Sequence, residues 1–128
     1  MHYDPEQPMA DHAWLSLQEE ERISLVEEYH KKKGSHLPHL RMHAALQAVI
    51  ETQAAENIPA VRDTLGRLIA EGLVRHEALH AIASVLVTHM YRLAQGENMV
   101  EHPEQNEVFY RELQKLSAEQ WITPGRSE

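Results

Sequence analysis

From Val74 to Gln95 the chain carries apolar side chains at helical spacing with no glycine or proline. A segment this long and this periodic is an amphipathic helix, and such a helix must bury its apolar stripe against another element. No stretch elsewhere alternates apolar and polar residues as a strand does, so the partners must be helices. The remaining segments agree. Ser16 and Glu19 have the spacing of a capping box, which opens a first helix running to about Lys33 before Gly34. Its apolar face carries Ile23, Val26 and Tyr29, with Leu25 and His30 at the margins, and Glu20, Glu21, Glu27 and Glu28 lie opposite. A second helix spans His39 or Leu40 to Glu56. Pro59 opens a third, with Val61, Leu65, Leu68 and Ile69 inward, and Gly72 closes it. Gly96 stops the long fourth helix. Pro103 starts a fifth, with Val108, Phe109, Leu113 and Leu116 inward, and Trp121 is expected to pack back on it. Residues 1–13 contain Pro5 and Pro8 and read as an extended arm, and 122–128 as a polar tail. The expected fold is a single all-α domain over 1–128, a compact bundle of four to five helices.

Composition narrows the functions. A formal charge of −8 argues against sequence-independent nucleic-acid binding, which needs a dense basic surface. The absence of cysteine excludes thiolate zinc sites and iron–sulfur clusters, so any metal must be held by histidine, carboxylate, amide or water. The longest apolar run, Ala81 to Val87, is too short to span a bilayer. The N-terminus lacks the basic and apolar regions of a signal peptide, and a cytoplasmic location is expected. A core with one Phe leaves room for a homodimer interface. Histidine is the unusual quantity: ten are present, dispersed rather than run together as a tag.

Two of them, His76 and His80, flank Glu77 in an H-E-x-x-H pattern on the fourth helix. Side chains four apart on a helix lie one above the other, so two imidazoles can share one metal ion. In metalloproteases the intervening Glu is the general base, which makes Glu77 the candidate catalytic residue. Projected on a helical wheel, His76 falls inside the arc of Ile82, Leu86, Leu79, Met90, Ala83 and Val87. His80 lies at its margin, and Glu77 lies outside it beside Ser84. His89 lies off that arc.

The second helix carries a comparable anomaly. His43, Gln47 and Glu51, spaced i, i+4, i+8, fall within an apolar arc that includes Ala44, Leu46, Ile50 and Ala54. A buried carboxylate costs several kcal/mol unless it is paired, hydrogen-bonded or metal-bound, so Glu51 needs a partner. Inward Glu and His on facing helices are the usual way to build a metal site in a bundle core. The candidate ligands are therefore His43, Glu51, His76 and His80, with Gln47 and His30 as further members. Such a set suits divalent zinc, iron, nickel or manganese.

The segments Leu40–Gln53 and Gly72–Ile82 resemble a family of short bacterial proteins of unknown function. In that family a helix reading Leu-His-x-x-x-His-x-x-x-Glu-x-Gln precedes Gly-x-x-Arg-His-Glu-Ala-x-His-Ala-Ile. The matching residues are His43, Glu51 and Gln53, then Gly72, Arg75, His76, Glu77, His80 and Ile82, and Gln47 stands at the position of the family's second histidine. The resemblance implies a shared site and no particular reaction. The resemblance to H-E-x-x-H metalloproteases is weaker, because those enzymes set the motif helix against a β-sheet. Three functions follow: a metal-binding helical bundle; a non-enzymatic interaction or dimerisation module with a structural His–Glu network; and a metal-dependent hydrolase. A histidine-based pH switch is a further reading of the same residues.

Overall fold

Helical periodicity, punctuated by proline and glycine, produces helices where it predicts them. The computed structural model describes residues 1–34, 38–96 and 102–122. The helices are α1 (Asp11–Leu15), α2 (Glu19–Lys32), α3 (Leu40–Ala55), α4 (Pro59–Ala70), α5 (Arg75–Gln95), α6 (Glu107–Lys115) and α7 (Ala118–Ile122), with a 3₁₀ turn at Pro103–Gln105. No strand occurs among the described residues, and the fold is all-α. No described helix is long and apolar enough to cross a membrane. The five expected helices are present, and two short ones join them. Residues 123–128 of the expected polar tail lie outside the described residues.

The chain divides into two units, Met1–Ile58 and Pro59–Glu128. In the first, α2 and α1 both pack on α3. Ala44, Ala48 and Ala55 on α3 are buried with Tyr3, Trp14 and Val26, and Ile23, Leu25 and Tyr29 pack at the edge. Trp14 belongs to α1, which starts inside the segment expected to be extended. Its indole nitrogen donates to Thr52 Oγ1 at 3.0 Å, and Arg22 donates to the carbonyls of Trp14 and Leu15 at 3.1 and 3.0 Å. Ser16 consequently terminates α1, donating to the Ala13 carbonyl at 2.7 Å, rather than capping α2. The α2 cap falls two residues later, where Glu21 accepts from the Gln18 amide at 2.8 Å.

Helices α3 and α4 end in left-handed residues that let the chain reverse. Asn57 (φ 59°) closes α3, with the Ile58 amide reaching the Gln53 carbonyl at 3.0 Å. Gly72 (φ 115°) closes α4, with the Leu73 amide reaching the Leu68 carbonyl at 3.1 Å. Both are six-to-one closures that satisfy orphan carbonyls.

In the second unit α4, α5 and α6 pack on one another. The buried apolar side chains are Val61, Leu65 and Leu68 on α4, Leu79, Ile82 and Leu86 on α5, and Phe109 and Leu113 on α6. Val108, expected inward, is exposed, and Leu116 is half-buried. The face of α5 is rotated from the expected one. Val87 and Met90 are exposed, while His89 is buried and stacks on Phe109 with centroids 6.3 Å apart.

Two charged residues, Arg67 on α4 and Glu71 just past its end, satisfy helix ends. Arg67 donates to the Leu113 and Leu116 carbonyls at 3.0 and 2.6 Å, at the C-terminus of α6. Glu71 accepts from the Ala118 amide at 2.9 Å, at the N-terminus of α7. The Ala118 amide, and after it the Arg67 guanidinium, hold the Glu71 carboxyl below the usual glutamate value against the opposing effect of desolvation. A depressed folded value contributes stability that is present above the unfolded glutamate range and is lost as pH falls through the folded value. Acidification should therefore lower the protection of the Ala118 amide, measured as its exchange rate relative to the intrinsic rate at the same pH, and Glu71→Gln should flatten that response. An acid profile unchanged by the substitution would show that Glu71 does not hold α7.

Candidate metal centre

In the first unit the polar stripe on α3 is real but shorter than expected. Gln47 and Glu51 are 1% and 5% exposed, whereas His43, one turn into the helix, is exposed. The wheel position of His43 is apolar, but it lies at the edge of the covered face, between exposed Met42 and fully buried Ala44. Glu51 finds a partner within the unit in a residue the periodicity did not suggest. Tyr3, buried in the N-terminal segment, donates its hydroxyl to Glu51 Oε2 at 2.5 Å. This is a charge-assisted bond of the strong class. Gln47 Nε2 donates to the Tyr3 oxygen at 2.9 Å, and Gln47 Oε1 lies 3.0 Å from His30 Nε2. His30, in the last turn of α2, is 6% exposed. Four buried polar groups thus form one continuous chain: Glu51, Tyr3, Gln47, His30.

Aromatic packing fixes the members of this chain. The Tyr3 ring lies 5.7 Å from Trp14 and 5.9 Å from Tyr29, the latter edge-on, and Tyr29 meets the His30 ring at 5.5 Å. Burial, with Asp4 and Glu6 adding to it, raises the Tyr29 phenol above its usual value, so it stays protonated at neutral pH.

In the second unit His76 and His80 occupy the first two turns of α5 and are half-buried. Their rings are 4.3 Å apart between centroids, inclined at 53°. The i, i+4 spacing has therefore produced the expected paired imidazoles on one helix face. Glu77 points elsewhere. Its Oε1 accepts from the Trp121 indole at 2.7 Å, which anchors α7 on α5. Trp121 packs back as the sequence suggested, and its polar contact is the residue a protease would use as base.

The ligand candidates thus fall into two sets, His30 with Gln47 and Glu51 in the first unit and the His76–His80 pair in the second. No family model matches the sequence, and neither a curated protein nor a solved structure is detectably similar to it. Function must be argued from these side chains alone.

Proposed function

We propose that the chain holds a divalent transition-metal ion on imidazole nitrogens, with His76 and His80 as the paired ligands. The His76–His80 pair carries the reading: two half-buried rings 4.3 Å apart on a rigid helix are pre-arranged to share one ion. Imidazole ligands suit zinc, nickel or iron, whereas manganese prefers carboxylate. A hydrolase would also need a base, and Glu77 is occupied by Trp121. The resemblance to the bacterial family supports a shared site in the same sense.

Protein purified without a nickel column should contain close to one equivalent of zinc, nickel or iron by elemental analysis. The His76→Ala/His80→Ala variant should contain background levels, and Glu77→Gln should load normally. Equal, near-zero metal in the wild-type protein and the double variant would sink the proposal. Stripping the metal should also lower stability, by about 2.7 kcal/mol relative to a free-metal concentration a hundredfold above Kd.

One observation favours a second reading, a non-enzymatic helical module with a structural polar network. The Glu51–Tyr3–Gln47–His30 chain is continuous within its unit and needs no ion to be complete. Chelator separates the two: under this reading Glu51→Gln destabilises the metal-stripped protein as much as the metal-treated one.

A further inference from the structure

We infer that the first unit contains a receptor site for a small phenol, built from Glu51 and Gln47 between the rings of Trp14 and Tyr29, and that Tyr3 of the N-terminal arm is its tethered occupant. The contacts are those a phenolic hydroxyl satisfies. It donates to Glu51 Oε2 at 2.5 Å and accepts from Gln47 Nε2 at 2.9 Å, so both of its hydrogen-bonding roles are met. Glu51 and Gln47 are 5% and 1% exposed. A buried carboxylate and a buried amide select a hydroxyl over a bare ring, because the bare ring leaves both without that bond. The walls select the ring itself. Trp14 lies 5.7 Å from it, and Tyr29 meets it edge-on at 5.9 Å.

The frame of the site stands without the arm. Glu51 and Gln47 belong to α3, Trp14 to α1 and Tyr29 to α2. The Trp14 indole is fixed by Thr52 at 3.0 Å and the Gln47 amide by His30 at 3.0 Å, contacts in which the arm takes no part. The occupant arrives on residues 1–10, which contain no helix and so have little regular structure to lose on leaving. Beside Tyr3 lies an open cleft of about 410 Å³, lined also by Tyr29, Leu25, His2 and Lys32. That volume falls in the usual range of small-molecule pockets, roughly 300–1,000 Å³, and the cleft gives a free phenol an approach to the ring site. A tether makes Tyr3 an internal competitor at roughly millimolar effective concentration, so a free phenol must bind the emptied site more tightly than the filled one. None of this depends on the metal-binding reading.

The probe is p-cresol, which is the tyrosine side chain as a free molecule, and toluene is the control that lacks the hydroxyl. In the full-length Tyr3→Ala variant, calorimetric titration should show one equivalent of p-cresol bound, with toluene at least roughly tenfold weaker. The urea midpoint of that variant should rise with p-cresol concentration. If Tyr3→Ala is unfolded by circular dichroism, p-cresol and not toluene should restore its helical signal. Adding Gln47→Leu/Glu51→Leu to Tyr3→Ala should abolish the preference for p-cresol over toluene. Competition by the arm is read by the order of affinities. Tyr3→Ala should bind p-cresol at least roughly tenfold more tightly than the wild-type protein, and Tyr3→Phe should fall between, since Phe fills the ring space without supplying the hydroxyl. No effect of p-cresol on Tyr3→Ala, folded or unfolded, or equal binding of p-cresol and toluene, would overturn the receptor site. Equal p-cresol affinity in Tyr3→Ala and the wild-type protein would place the binding elsewhere and overturn the role of Tyr3 as its occupant.

Discussion

Tyr3→Phe is expected to lower the stability of the first unit by about 3 kcal/mol, far more than removal of one hydroxyl usually does. The hydroxyl serves two buried groups at once. It donates to Glu51 Oε2 and accepts from Gln47 Nε2. Losing a hydrogen bond to a charged acceptor costs about 1.5 to 3 kcal/mol, and leaving a buried amide N–H without its acceptor costs about 1 to 3 more. Partial relaxation trims the sum. The effect should depend strongly on context. In a Gln47→Leu/Glu51→Leu background the groups served by the hydroxyl are gone, and Tyr3→Phe should then be close to neutral. Urea unfolding followed by circular dichroism measures both quantities. A cost below about 1 kcal/mol in the wild-type background, or an equal cost in both backgrounds, would show that the chain is not a coupled unit.

That result would also locate the limit of reading this chain from its sequence. The five longer helices were legible because α2 to α6 each carry a helical apolar period bounded by proline or glycine. The five-residue α1 was not, since one turn contains too little periodicity, and its presence moved the α2 cap from Ser16 to Gln18. The burial of Gln47 and Glu51 was legible from their wheel positions, and so was the need of Glu51 for a partner. The partner's identity was not. Within its unit a phenol from the arm supplies one such bond, and the segment containing Pro5 and Pro8 has no register from which that reach can be read. The wheel also says nothing about where the covered face ends, which is why His43 was placed inward and lies exposed. On α5 the apolar centroid misjudged the buried face because Phe109, contributed by α6, covers His89. The His76–His80 pairing, by contrast, is a local consequence of helix geometry and was legible in full.

The covered face of α5 supplies the other large effect. Phe109 is fully buried and lies on α6, which packs on both α4 and α5. Truncating a buried Phe to Ala removes its transfer free energy and leaves a cavity, at a cost of about 3 to 5 kcal/mol. The upper end is expected here, because α6 holds the aromatic ring between two other helices and cannot follow it inward. One circumstance acts against this. His89 is 4% exposed, and its Nε2 has no hydrogen-bond partner among the described residues. A cavity opened beside it would admit water, which would satisfy that nitrogen and offset part of the loss. The two substitutions should therefore be coupled. His89→Leu alone removes an unsatisfied buried polar atom and should be neutral or stabilising, whereas Phe109→Leu should cost under about 1.5 kcal/mol. In the His89→Leu background the cavity left by Phe109→Ala stays dry, so the truncation should cost more than it does in the wild-type protein. Denaturant midpoints for the single and double variants decide the matter. A smaller cost in the His89→Leu background would mean that water does not reach His89, and that its burial against Phe109 is stabilising as it stands.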